Sequence, residues 1–193
     1  SIHDEIVSNV RENLHYLDVS IFNHILSGRR IMKAAIITSS DKGYAGERED
    51  VSGQVMEDML KEAGYEILRK VVLPDEKDML AAEMIKMSED GADLVMTTGG
   101  TGFSKRDVTP EATKMVIEKE ARGITDAILF YSLSITPRAM LSRAIAGIRG
   151  ETLIVNLPGS PKAVREALEY ILPSLKHGLE ILKGEASECA RKN

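Results

Sequence analysis

From Lys33 onward the chain alternates between two hydrophobic periods, and this alternation narrows the possible folds more than any other feature. Ala34-Ala35-Ile36-Ile37-Thr38 is a short, nearly continuous apolar run ending in Ser39-Ser40-Asp41, the pattern of a parallel strand buried on both faces. Val55, Met56, Met59, Leu60 and Ala63 then recur at helical spacing as far as Gly64, where a glycine stop is common. A second strand is expected over residues 65–73, before Pro74. A second helix carries Leu80, Met84 and Met87 and closes at Gly91. A third strand, residues 93–98, runs directly into Gly99-Gly100-Thr101-Gly102. Strand and helix alternating at this spacing build βαβ units in a sheet covered on both faces, so the class is α/β.

The second half continues the pattern with less regularity. Thr109 is expected to cap a helix with Pro110 at its first position and Glu111 in its first turn, a usual starting device. Residues 124–143 read as helical, with a break near Pro137. Residues 145–148 and 152–157 read as two strands turned at Arg149-Gly150-Glu151. Ser160 and Pro161 repeat the cap-and-proline device before a helix carrying Val164, Leu168, Ile171 and Leu175, which Pro173 is expected to break or kink.

Residues 1–31 differ from the rest. Val7, Val10, Leu14, Leu17 and Ile21, with Ile6 and Ile25 alongside, fall at alternating three- and four-residue steps, an amphipathic helix too short for a coiled coil. It reads as a helix docking on a neighbouring surface, as an element of self-association, or as an extension without function. Ser27-Gly28-Arg29-Arg30 reads as its stop, and Met32 opens the new pattern, giving an extension over 1–31 and a main domain over 32–193.

Composition excludes several function classes. Of the 193 residues, 25 are Lys or Arg and 30 are Asp or Glu, for a net charge of -5. That balance argues against a broad nucleic-acid surface, whose affinity comes from neutralised phosphates, but it leaves room for a local anion pocket. The single Cys189 cannot form an internal disulfide, which fits a reducing compartment. No run approaches the ~20 apolar residues of a membrane span, and the first residues lack the features of a secretory signal. A cytoplasmic, soluble protein is expected.

Open α/β sheets bind ligands beyond the carboxyl ends of their strands. The candidates are therefore Ser39-Ser40-Asp41, Pro74-Asp75-Glu76, residues 98–107 and Asn156-Leu157-Pro158-Gly159-Ser160-Pro161. Three glycines in four positions after a buried strand let the backbone approach a ligand and present N–H groups to an anion. The loop lacks the Gly-Lys-Ser/Thr ending of a P-loop and the glycine spacing of a dinucleotide fingerprint, so a tight turn and a phosphate- or ring-binding loop both remain open. Asp75 and Asp107 each have a turn-forming alternative, but two acids at neighbouring strand ends can share a divalent cation. The four histidines show no metal-ligand spacing, and no Gly-x-Ser-x-Gly elbow occurs.

The run Thr98-Gly99-Gly100-Thr101-Gly102-Phe103-Ser104-Lys105-Arg106-Asp107-Val108-Thr109-Pro110-Glu111-Ala112-Thr113 closely resembles the signature of the molybdopterin-binding family of molybdenum cofactor biosynthesis, which includes adenylyltransferases of the gephyrin G-domain type. Ser39 to Asp41, Leu73-Pro74-Asp75-Glu76, Leu141-Ser142-Arg143 and the stretch from Asn156 to Pro161 stand where that family has its other motifs, so the resemblance covers roughly residues 32–184. It implies a three-layer α/β/α domain with a mostly parallel sheet, usually trimeric, that adenylylates molybdopterin with ATP and Mg²⁺ and releases pyrophosphate. The activated pterin then goes to the metal-insertion enzyme of the pathway.

The resemblance also implies roles for individual residues. Asp75 and Asp107 are the essential acidic pair, holding Mg²⁺ or orienting substrate. Gly99, Gly100, Thr101 and Gly102 cradle the anion or pterin. Ser40, Asp41, Thr98, Ser142, Arg143, Asn156, Pro158, Gly159 and Ser160 contact substrate, with Arg143 and Lys105 as neutralising cations. Rival readings are a molybdopterin carrier without transferase activity and a scaffold assembled through the N-terminal helix.

Overall fold

A computed structural model describes residue 28 and residues 30–184. Cys189 and nearly all of the helix expected over 1–31 lie outside the described residues. From Met32 the expected alternation becomes β1 (Lys33–Ser39), α1 (Asp41–Tyr44), α2 (Val51–Glu62), β2 (Glu66–Leu73), α3 (Lys77–Glu89), β3 (Leu94–Thr98) and α4 (Thr109–Val116). It continues with β4 (Lys119–Glu120), α5 (Arg122–Leu133), a 3-10 turn (Pro137–Leu141), β5 (Ala146–Arg149), β6 (Thr152–Leu157) and α6 (Pro161–Leu182).

The six strands lie in the order β2-β1-β3-β6-β5-β4. β2, β1, β3 and β6 are parallel, whereas β5 runs antiparallel to β6 and β4 antiparallel to β5. The continuous apolar runs are explained by two cores, because successive side chains of a strand face opposite ways. Ala34, Ile36, Leu94, Met96, Leu153 and Val155 pack with Met56 and Leu60 of α2, Ile128 of α5 and the buried face of α6. Ala35, Ile37, Val95 and Ile154 pack with Leu80, Met84 and Met87 of α3 and Ala112 and Val116 of α4. The result is the three-layer α/β/α arrangement, with α2, α5 and α6 on one face and α3 and α4 on the other.

Several local expectations need correction. Val108, not Thr109, is the N-cap of α4, and it makes no side-chain capping bond. Thr109 is the first helical residue, and its hydroxyl is drawn instead to the Gly99 carbonyl at 3.0 Å. α6 runs unbroken through Pro173. The apolar face carrying Ile171, Leu175 and Leu179 is buried on both sides of the proline, and that packing outweighs the lost backbone bond. The break expected near Pro137 falls between α5 and the 3-10 turn, where Thr136 Oγ1 accepts the Arg138 N–H.

Candidate functional site

β1 leads to β2 on one side, while β3 and β6 lie on its other side, so the chain direction across the sheet reverses between β1 and β3. Loops leaving adjacent strands on opposite sides open a crevice at such a point. The glycine loop sits there. A Cβ on Gly99 would lie 2.5 Å from the Ser39 carbonyl oxygen and one on Gly100 2.4 Å from Thr109 Oγ1, and both residues have positive φ, +87° and +67°. Only glycine allows β3 to turn this tightly against the end of β1.

The loop's hydrogen bonding is one-sided. The carbonyls of Gly99 and Gly100 accept from the Thr109 hydroxyl and N–H, that of Thr101 from the Arg143 N–H, and that of Gly102 from Arg143 Nε at 2.7 Å. The four N–H groups of the same residues have no acceptor among the described residues. Four donors in succession without acceptors give the crevice the hydrogen-bonding groups of an anion cradle.

Two cavities meet at this cradle. One, of about 490 Å³, is lined by Gly99 to Gly102, Asp107, Ser142, Asn156, Pro158 and Gly159, with Asp126, Arg138 and Glu166 farther out. The other, of about 600 Å³, is lined by Ser39, Ser40, Asp50, Ser52, Asp75, Thr98 and Ser160, and it shares Gly99, Gly100, Asp107 and Gly159 with the first. Both are large enough for small-molecule ligands. Ser160 opens α6 into the second cavity, its Oγ accepting the Ala163 N–H at 3.2 Å, so the positive end of a 22-residue helix faces the space.

The two acids reach the cradle from different loops. Asp75 Oδ1 accepts the Ser39 hydroxyl at 2.6 Å and Oδ2 accepts the Asp41 N–H at 3.0 Å. Asp107 Oδ2 accepts the Ser104 N–H at 3.0 Å, closing the loop locally, while Oδ1 has no partner among the described residues. The second cavity sets four carboxylates, Glu49, Asp50, Asp75 and Asp107, against one guanidinium, Arg48. A polyphosphate entering it needs a counter-cation. The donors suit Mg²⁺, which is held through one or two carboxylates with water and phosphate completing its shell. No cluster of three His, Cys, Asp or Glu able to hold a metal occurs among the described residues.

Three expected substrate contacts are occupied by the protein itself. Arg143 spends its guanidinium on the Gly102 carbonyl, the Asp107 carbonyl at 2.8 Å and Glu111, and so fastens the loop. Burial, the largest single influence, pushes the Glu111 carboxylate up, but the Arg143 hydrogen bond, a backbone hydrogen bond and the charges of Arg143 and Lys77 together hold it below its ordinary value. Asn156 is fully buried; its amide donates to Thr97 Oγ1 at 3.0 Å and Thr113 Oγ1 at 2.8 Å and accepts the Ile145 N–H at 3.2 Å. Asp41 lines neither cavity; it pairs with Arg106 and accepts the Asp75 N–H.

Sequence reasoning missed Asp50, Ser52 and Thr38. Asp50 caps α2 through the Gly53 N–H at 2.9 Å and accepts from Thr38 Oγ1, and Ser52 Oγ holds the Gly159 carbonyl at 2.7 Å. The Asp-x-x-Gly spacing at residues 50–53 was a readable capping signal.

The model of a probable molybdopterin binding domain matches residues 35–177. A molybdopterin adenylyltransferase of Helicobacter pylori is 39% identical over 161 residues, spanning 82% of this chain and 92% of that protein. Gephyrin of Dictyostelium discoideum is 41% identical over 160 residues, 78% of this chain but only 22% of gephyrin. Among solved structures, the molybdopterin biosynthesis enzyme MoaB of Thermus thermophilus superposes with a TM-score of 0.75 at 41% identity, covering 80% of this chain and 98% of that one.

Proposed function

This chain belongs to the molybdopterin-binding domain family of molybdenum cofactor biosynthesis, and we propose that it is a molybdopterin adenylyltransferase using Mg-ATP. The observation that carries the reading is the junction of two ligand-sized cavities at one loop whose four N–H groups have no acceptor among the described residues. Two phosphorylated substrates brought from opposite sides would meet there. The cavity lined by Asp75, Asp50 and the α6 N-terminus would take the triphosphate, and the cavity beyond Gly102, Ser142 and Pro158 would take the pterin. The similarity to a named molybdopterin adenylyltransferase over most of both chains supports the same assignment.

In the reaction a terminal phosphate oxygen of molybdopterin attacks the α-phosphorus of ATP. One P–O bond forms, the bond from the α-phosphorus to its bridging oxygen breaks, and pyrophosphate leaves. A phosphate monoester is largely ionised at neutral pH, so no side chain has to remove a proton. The chain's task is positioning and charge neutralisation: the N–H groups of residues 99–102 bind phosphate oxygens, and Thr98 and Ser52 hold the Pro158 and Gly159 carbonyls so that the facing loop keeps its place. Asp75 and Asp107 would hold Mg²⁺, which would supply positive charge against that of the phosphates.

No helix among the described residues is long and apolar enough to cross a membrane, in keeping with a cytoplasmic enzyme. The exposed Phe130, Leu133 and Met140 around α5 and the 3-10 turn support a homotrimer or larger homo-oligomer, and the adenylylated product would pass to the metal-insertion enzyme. The test is pyrophosphate release from ATP and Mg²⁺ with and without molybdopterin: release that depends on the pterin is expected, and pterin binding without release would establish a carrier instead.

A further inference from the structure

Asp107 has a neighbour that the proposed chemistry leaves unused. Arg106 reaches from the loop after β3 to the ends of two other strands: its Nε and Nη2 each lie 3.0 Å from an oxygen of Asp41, and Nη2 also lies 2.8 Å from Glu76 Oε1. Asp41 follows β1 and Glu76 follows β2. Asp41 and Asp75 in turn grip each other, the backbone N–H of each donating to the other's carboxylate at 3.0 Å. A continuous chain of bonds therefore runs from the Asp107 loop through Arg106 and Asp41 to Asp75. The planar guanidinium suits this task, because its fixed fork meets two carboxylates at defined angles where an ammonium offers one point of charge. The hydrogen bonds from Arg106 and then from the Asp75 N–H hold the Asp41 carboxylate below its ordinary range, so the acceptor stays charged at working pH.

We infer that Arg106 is a positioning residue: by latching the loop that carries Asp107 onto the Asp41–Asp75 pair, it sets the gap across which the two acids share a cation. Arg106 need not touch the substrate. The role rests on the adenylyltransferase reading, since it concerns the site proposed for Mg-ATP, but the latch itself can be detected without any reaction.

The experiment compares the wild-type protein with Arg106→Gln, Arg106→Lys, Asp41→Asn and the double variant Asp41→Asn/Arg106→Gln. Amide hydrogen exchange is measured first, with no ligand present. The Asp41 and Asp75 amides should exchange about tenfold faster in Arg106→Gln, the scale expected from losing two exposed but networked ion pairs, while amides in the sheet and the thermal midpoint stay unchanged. Unchanged exchange at Asp41 and Asp75, or faster exchange throughout the sheet, would overturn the latch.

Pyrophosphate release is then titrated with Mg²⁺. Arg106→Gln should require about tenfold more Mg²⁺ for half-maximal rate with the KM for molybdopterin unaltered, and Arg106→Lys should recover only part of the loss. The double variant should be no worse than its worse single variant. Additive losses, full rescue by lysine, or a changed pterin KM would show that Arg106 acts on substrate directly and would overturn the positioning role. A wild-type protein that releases no pyrophosphate would sink the adenylyltransferase reading alone, because the exchange measurement still decides whether the latch exists.

Discussion

Lys183 Nζ lies 2.7 Å from Asp93 Oδ1 at a point where the two side chains are 8% and 0% exposed, so the last turn of α6 is pinned by an ion pair to the start of β3. The second oxygen of Asp93 accepts the Lys33 N–H at 2.8 Å, tying in the start of β1. A charge this deep is tolerated because it is paired and hydrogen-bonded. Lys183→Met removes the Lys183 cation from this buried carboxylate and is expected to cost about 3–5 kcal/mol, whereas replacing both partners with apolar groups costs less. Urea unfolding of Lys183→Met and of Asp93→Leu/Lys183→Met checks this. A double variant as unstable as the single would show that the other bonds of Asp93, such as that from the Lys33 N–H, set the cost rather than the uncompensated charge.

Tyr65 provides a pH-dependent signature of the same region. Its hydroxyl is buried with no partner among the described residues. Burial, reinforced by the negative charges of Asp93 and Glu180, pushes its pKa from 10.0 up to about 12. Because the folded-state value is raised, the stability linked to this group is complete below pH 10.0 and is lost as pH rises towards about 12. Tyrosinate absorbance should show one late-titrating phase that disappears in Tyr65→Phe. The same substitution should leave neutral-pH stability unchanged or slightly raised, since removing an unsatisfied hydroxyl forfeits no hydrogen bond. A substantial loss on Tyr65→Phe at neutral pH would mean that the hydroxyl is hydrogen-bonded after all.

Gly99→Ala and Gly100→Ala test whether the cradle depends on its backbone. Each methyl would stand 2.4–2.5 Å from a neighbouring oxygen at a positive φ. The opposing atom at Gly99 is a main-chain carbonyl anchored in β1, while at Gly100 it is a threonine hydroxyl. Gly99→Ala is therefore expected to displace the loop more, with pyrophosphate release falling by at least about a hundredfold, as loss of oriented donors does. Gly100→Ala should do less harm in a Thr109→Ala background, which removes the opposing hydroxyl, whereas Gly99→Ala gains nothing there.

The parts of this molecule that the sequence made legible are those governed by local chemistry. Ala34 to Ile37 announced a strand buried on both faces because both cores demand apolar residues there, and Gly99 and Gly100 announced a turn that only glycine makes. Thr109 was misread because its capping signal is local while its hydroxyl is claimed by Gly99, ten positions away. Pro173 was misread because a breaker residue acts locally, whereas the buried stripe of α6 acts along its full length. Arg143 and Asn156 were read as substrate contacts because their bonding to the protein itself depends on partners 32 to 59 positions distant, which no spacing rule reveals. The edge strand β4, two residues long, is too short for a hydrophobic period to register.

Asn156→Ala separates a structural role from a substrate contact. The side chain satisfies Thr97, Thr113 and Ile145 at once, joining β3, α4 and the segment before β5. Truncation leaves several buried polar groups unpaired, at about 1–3 kcal/mol for each one that water cannot reach. Thermal unfolding should fall markedly, while the KM for molybdopterin of the protein that remains folded changes little. A normal melting point with a raised KM would return Asn156 to the substrate.

Asp75→Asn and Asp107→Asn keep side-chain size and one acceptor oxygen, which can still take the Asp41 N–H in the first and the Ser104 N–H in the second, while the new amide of Asp75→Asn can donate to Ser39 Oγ, and the negative charge is removed. If the two carboxylates share one Mg²⁺, each variant should lose at least about a hundredfold in turnover, the several kcal/mol a bound cation contributes, and each should need more Mg²⁺ for its residual rate. Groups acting as a unit lose their effect together, so the double variant should be scarcely slower than either single one. Losses that multiply would place the two acids in separate tasks, one on the cation and one orienting substrate. Thermal midpoints close to wild type in all three variants are part of the expectation, because a charge removed from this acid-rich cavity relieves repulsion among Glu49, Asp50, Asp75 and Asp107.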